Sequence, residues 1–142
     1  LREINELIYN TIRSDPTYRT ICGATVTDPR ISIHKTPIGL VVSDAKPAYG
    51  VYYRNGSAKP LDFIDGVQEN NQVYTVEVYG KKLENADDAG EAIVALFNDK
   101  NFETTTYLVK YTSASLGSLT FDDARKLYFT TVTIYLDFIY HK

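Results

Sequence analysis

Apolar positions in the opening stretch, LREINELIYNTIRS, fall at Leu1, Ile4, Leu7, Ile8 and Ile12, the spacing of one helical face. Arg2, Glu3, Glu6 and Asn10 point away from that stripe. The helix is expected to stop near Ser14, because Asp15 precedes Pro16 and a residue before proline is biased out of the helical region. DPTYRTICG predicts a second short helix, with Asp15 as N-cap, Pro16 at the first position and Gly23 as terminator. Residues 24–60 then change texture, holding Pro29, Pro37, Pro47 and Pro60 with Gly39, Gly50 and Gly56. RISIH and YGVYYR are the predicted strands there. A long loop from Lys35 to Ala48 joins them, with GLVV as a candidate short edge strand. Asn55-Gly56 in RNGS predicts a hairpin turn, since both positions accept positive φ. The same residues form an Asn-X-Ser sequon, but no secretion signal accompanies it and the turn reading is preferred.

Alternation returns in QVYTVEVYG, where Tyr74, Val76 and Val78 share one face and Val73, Thr75, Glu77 and Tyr79 the other. NADDAGEAIVALFND sets Ala86, Ala89, Ile93, Leu96 and Phe97 on one side of a helix expected at about residues 85–98. Asp87, Asp88 and Glu91 lie in or near its first turns, where the helix dipole favours negative charge. TYLVKYTS predicts a strand, ASLGSLTFDDARK a polar connection, and LYFTTVTIYLDFIY the longest strand of all. Tyr128, Thr130, Val132, Ile134, Leu136 and Phe138 form its greasier face. The opposite face, Phe129, Thr131, Thr133, Tyr135 and Asp137, resembles neither ordinary core nor ordinary solvent surface. It suits partial cover by a loop, a helix or a neighbouring subunit. No repeat or linker divides the chain, so one α+β domain over residues 1–142 is expected. It comprises N-terminal helices and a mainly antiparallel twisted sheet with one crossing helix packed on it.

Composition narrows the function classes. With 142 residues, 44% of them apolar and 23% charged, the chain suits one globular domain rather than a disordered segment. A net charge of −3 gives no basic footprint for sequence-independent gripping of nucleic acid. Twelve tyrosines without a tryptophan suit half-buried sheet surfaces and interfaces. The single Cys22 excludes an internal disulfide, fits a reducing compartment and reads as a small core residue. No apolar run approaches the roughly 18 residues of a membrane span.

The strand–glycine–helix layout of VYGKKLENAD invites comparison with a phosphate loop. It holds one glycine, matches neither nucleotide-binding pattern, and puts Asp87 and Asp88 where a phosphate would sit. Lys81 and Lys82 alone favour an anion, so Gly80 reads as a corner. His34 and His141 are far apart in sequence and lack ligand-spaced partners, so no metal is expected. Asp122-Asp123 reads as a capping or solvating pair. A Cys22–His34 nucleophile is disfavoured because Cys22 sits at a helix C-terminus, the wrong end for a thiolate. Tyr52 and Tyr53 lack the basic neighbours of a base-stacking platform and read as sheet packing. No catalytic residue and no cofactor are assigned.

Taken in order, INELIYNTIRSDPTYRTICG, PAYGVYYRN, VYTVEVYG followed by DDAGEAIVALF, and RKLYFTTVTIYLDF resemble the tail-completion or tail-terminator proteins of long-tailed bacteriophages and prophages. The resemblance spans most of the chain and is strongest at Tyr74 to Gly80, Ala86 to Phe97 and Leu127 to Phe138. It implies a small α+β structural protein, not an enzyme, that uses no cofactor. It further implies a ring, typically a hexamer, on the head-proximal end of the tail tube, stopping tube growth and docking to the head connector or adaptor proteins. DNA would pass through the lumen without specific binding. The implied location is the virion neck, after assembly in the bacterial host cytoplasm, with no membrane partner. Each subunit of a ring needs two different complementary surfaces. Ile38, Leu40 and Val41 in the long loop and Thr131, Thr133 and Tyr135 on the last strand are the expected interface residues. That loop is longer and more apolar than the family pattern, which leaves terminator and adaptor positions both open. Two other classes compete: a monomeric module holding a peptide or apolar ligand between sheet and helix, and, more distantly, a hydrolase using Asp122, Asp123 or Cys22.

Overall fold

A computed structural model describes residues 2–37, 39–57, 61–62 and 68–140. Leu1, Ile38 and His141, each singled out by the sequence, lie outside the described residues. The elements run α1 (Arg2–Ser14), α2 (Pro16–Cys22), β1 (Ile31–Ile33), β2 (Ala48–Ser57), β3 (Leu61–Asp62) and β4 (Gln68–Gly80). After these come α3 (Leu83–Phe97), β5 (Phe102–Glu103), β6 (Tyr107–Leu116), β7 (Thr120–Asp122) and β8 (Leu127–Tyr140). The α+β architecture is the expected one, with the helices against one face of a mainly antiparallel sheet.

The entrance folds as its residue types require. α1 buries Ile4, Ile8 and Ile12 completely. The Asp15 carboxylate accepts the Tyr18 N–H at 2.9 Å, and Gly23 ends α2 in the left-handed region at φ 67°. Strand order is β1-β2-β4-β8-β6-β5, with β3 beside β4 and β7 beside β8. Only the β1–β2 pair is parallel among the described strands. β4 and β8 pair without interruption from Glu69↔Ile139 to Gly80↔Tyr128 and form the spine of the sheet. Because β4 and β6 flank β8 on opposite sides, α3 must cross β8 to connect them. One core results. Tyr74, Val76 and Val78 of β4 and Val132, Ile134, Leu136 and Phe138 of β8 pack against Ile4, Ile8, Ile12, Ile93 and Phe97. The greasier face of β8 is therefore the helix-facing one, as its alternation predicts.

The Gly80 corner has a steric cause. A Cβ at Gly80 would stand 2.5 Å from the Ala86 nitrogen and 2.9 Å from the Asn85 Cβ. The first turn of α3 thus runs directly over this residue, and the Lys82 N–H is taken by Asn85 Oδ1 at 3.0 Å. Backbone occupies the space an anion would need.

Three local expectations change. RNGS is no hairpin turn: β2 runs on to Ser57, and a register shift between Arg54 and Gly56 makes Asn55 a bulge. The permissive Asn-Gly pair absorbs this irregularity instead of a chain reversal, and Asn55 Oδ1 accepts from Thr75 Oγ1 at 2.9 Å. GLVV forms no strand; its backbone is committed elsewhere, as described below. The polar connection ASLGSLTFDDARK contains the end of β6 and all of β7. Asp122 turns the chain back by accepting the N–H groups of Ala124 and Arg125 at 3.0 and 3.1 Å.

Gly80→Ala should destabilise the fold by about 1–3 kcal/mol, since either α3 or the end of β4 must shift. Urea unfolding would show a lowered midpoint at unchanged slope. An unaltered midpoint would contradict the close approach.

Candidate interaction surface

The face of the sheet opposite the helices carries the odd-numbered positions of β4 and β8. At one end it is aromatic. Tyr49, Tyr79 and Phe129 lie directly opposite one another across β2, β4 and β8. Their rings stack, with centroids 5.1 Å apart for Tyr49–Tyr79 and 5.6 Å for Tyr79–Phe129. The Arg125 guanidinium lies 4.8 Å from the Tyr79 ring centroid, and Tyr79 donates its hydroxyl proton to Glu77 Oε1 at 2.7 Å. Burial, and then the bond to Glu77, push the Tyr79 phenol well above its ordinary pKa. Leu40 and Val42 pack down on this cluster from the 34–47 loop, together with Leu127.

Arg30 holds that loop in place. It is 2% exposed and adopts φ 59°. Its guanidinium donates to three backbone carbonyls: Nε to Ala48 at 3.0 Å, Nη1 to Val41 at 3.0 Å and Nη2 to Lys46 at 2.9 Å. Nη1 also reaches Asp28 Oδ2 at 3.3 Å, an oxygen shared with Lys46 Nζ at 2.9 Å. The Arg30 carbonyl in turn accepts from the Tyr18 hydroxyl at 2.6 Å and from the Gly50 N–H at 2.9 Å. Side chain and backbone of this one residue therefore join α2, the loop and β2. Burial opposes ionisation of Asp28, but the Lys46 hydrogen bond and the Arg30 charge outweigh it and hold the carboxyl below its ordinary pKa.

Further along the same face, β6 and β8 present a run of hydroxylated side chains. Thr131 and Tyr135 are half-buried and Thr133 is exposed. Ser113 and Ser115 of β6 stand opposite Tyr135 and Thr133, and Tyr111 opposite Asp137 is 47% exposed. No described helix covers this region, since α1, α2 and α3 belong to the core on the other side.

The interface residues expected from the sequence thus separate. Leu40 packs onto its own sheet, whereas Val41 is 67% exposed while its carbonyl is bound by Arg30. Thr131, Thr133 and Tyr135 occupy the uncovered part of the face, away from the aromatic end that the loop closes. Arg30 was not foreseen. Its local context, DPRISIH, is that of any residue preceding a strand, and its carbonyl acceptors lie 11 to 18 residues away. The residues of a hydrolase reading have structural work. Cys22 is fully buried, and burial pushes its thiol up to about 12, so it stays protonated. Asp122 is held below its ordinary pKa by the Arg125 backbone and side chain and serves its turn. Asp87, Asp88 and Glu91 bring carboxylate oxygens within 4.8 Å of one another on the outer side of α3. The sheet–helix layer, where a binding module would hold its ligand, is filled by Ala89, Ile93, Phe97, Val132 and Ile134.

Neither a family model nor a curated protein matches the sequence. Among solved structures, the fold is that of a chain in the virion of a native gene transfer agent particle. The two superpose with a TM-score of 0.67 over 94% of this chain and 92% of that one, at 9% identity.

Arg30→Ala should cost about 3–5 kcal/mol, because three carbonyls and a carboxylate lose a buried charged donor. Limited proteolysis should then cut within residues 34–47. A stable variant with a resistant loop would refute the anchoring role. Asp28 adds a pH signature. Its contribution is fully present above the unfolded carboxylate pKa of about 4 and is lost as pH falls through the lower folded value. Asp28→Asn should therefore show a smaller drop in melting temperature than the parent chain on acidification from neutrality through that range.

Proposed function

We propose that this chain is a structural component of a phage-type virion, acting as a tail-completion or terminator protein. In this reading it closes into a ring, expected to be a hexamer, at the head-proximal end of the tail tube. There it ends tube growth, meets the head connector, and lets DNA pass without specific binding. The observation that carries the reading is the fold shared, over nearly its whole length, with a chain of a gene transfer agent virion. The order of helices and strands that resembles tail-completion proteins adds to it.

The sheet's outer face supplies a physical route to self-association. Ring closure demands two unlike surfaces on each subunit. The hydroxyl-rich strip of Thr131, Thr133 and Tyr135, flanked by Ser113 and Ser115, is one surface without helical cover among the described residues. Val41, exposed on the firmly anchored loop that covers the aromatic end, is available to a second. Small side chains let another backbone or side chain approach closely, and each hydroxyl can donate or accept across an interface. A net charge of −3 suits a lumen through which DNA slides.

Sedimentation of the purified protein across concentrations, with negative-stain images of the same samples, tests the reading. Closed rings with a central hole are expected, and Thr133→Arg should shift the population toward monomer without lowering thermal stability. A monomer at every concentration, indifferent to Thr133→Arg, would favour the competing monomeric binding module.

A further inference from the structure

The 34–47 loop and the β7–β8 turn approach each other over the aromatic end of the sheet and leave an open cleft of about 470 Å³. Its floor is apolar, made by Leu40, Val42, Tyr49 and Leu127. Its rim is cationic, made by Lys81, Arg125 and Lys126. We propose that this cleft is a docking site for an acidic peptide segment of a partner protein, in which carboxylate side chains alternate with apolar ones.

The charges argue for an anionic occupant. Lys81 is paired with Asp44 at 2.7 Å, and Arg125 with Asp122 at 2.8 Å. Lys126, held in a tight turn at φ 59°, has no acidic partner among the described residues. Lys82 also acts electrostatically on Asp44. Three cations thus line the rim, and Lys126 is the one without an ion pair among the described residues, on a chain whose net charge is −3. The pairs differ in permanence. Asp122 is fixed by two backbone N–H groups, whereas the Asp44 side chain is 86% exposed. An exposed pair of that kind is weak, so an incoming carboxylate can take Lys81 from Asp44 at little cost.

The floor argues for a peptide rather than nucleic acid. A phosphate backbone would engage the rim and leave Leu40, Val42 and Leu127 without a role. Nucleic-acid affinity also scales with the number of cations that neutralise phosphates, and two of these three already face carboxylates. An extended peptide sends alternate side chains to opposite sides. Apolar ones can then enter the floor while carboxylates reach the rim, the usual division between the core and margin of an interface. Because Arg30 anchors the loop, the cleft exists before binding, and little ordering cost falls on the protein. The site lies at the Leu127 end of β8 and Thr133 near that strand's middle, and the proposal holds whether or not the chain closes into rings.

The test is fluorescence anisotropy on the whole chain with a labelled hexapeptide alternating glutamate and leucine, beside a glutamine-for-glutamate control. The glutamate peptide should bind about tenfold more tightly than the control at low salt and weaken severalfold at high salt. Lys81→Gln with Lys126→Asn should remove most of that advantage; asparagine tolerates the positive φ of Lys126. Asp44→Asn should tighten binding about two- to threefold by freeing Lys81. Equal binding of the two peptides, indifference to the lysine changes, or no tightening with Asp44→Asn would overturn the proposal. So would tighter binding of a short DNA duplex through the same lysines. A lysine-dependent change in sedimenting mass without peptide binding would overturn it in favour of a second copy as occupant. Sedimentation of the parent chain reports on ring formation separately.

Discussion

A sheet has two faces, and the helices of this chain cover one. Every strand of the spine carries side chains to both sides, so the second face must be buried by something else or left to a partner. The protein does both. At one end a loop lies over Tyr49, Tyr79 and Phe129; further along, hydroxylated residues remain open. Burying a sheet with loop is harder than with helix, because a loop brings peptide groups that it cannot satisfy from within. The Arg30 guanidinium solves this by presenting donors at fixed angles to three carbonyls at once. The aromatic ladder, the cleft beside it and the limit of the open strip all follow from where that loop is held.

A buried arginine is an expensive device. Its desolvation is offset here by near-complete use of its donors, by Asp28 and by the Tyr49 ring, whose centroid lies 5.9 Å away. What it secures is a connection between parallel strands made without a helix. β1 and β2 run the same way, and a crossover of this kind normally calls for a packed helix to return the chain. The tightly bound carbonyls of Val41, Lys46 and Ala48 give the loop that fixed path instead.

Much of this was legible in the chain itself, for identifiable reasons. Ile4, Ile8 and Ile12, or Tyr74, Val76 and Val78, reveal their element because the signal is periodic and local. Asp15, Pro16 and Gly23 reveal a helix because capping is a matter of adjacent atoms. Asn55-Gly56 misled because a bulge and a turn demand similar backbone freedom, and only the partner strand decides between them. Leu40 read as exposed because its cover is its own sheet, formed by residues far along the chain. Arg30 was illegible for the same reason: the three carbonyls it binds are all distant in the chain. The two-sided character of β8 was plain in its alternation, but what lies over each side is a property of the topology.

The place of β8 in the sheet has a consequence for how the molecule comes into being. Among the described strands β8 is the last in the chain, yet it lies between β4 and β6, which are synthesised earlier. Until residue 138 has left the ribosome, both neighbours present a bare edge and the isoleucines of α1 have only part of their core. Emerging chains therefore wait with one bare edge on each of two strands, a state that favours pairing between chains over pairing within one. Completion is a single insertion that removes both edges at once. A nascent chain of this protein gains its fold late and all together, not domain-piece by domain-piece, and any stall before β8 leaves an adhesive intermediate in place of a partial structure.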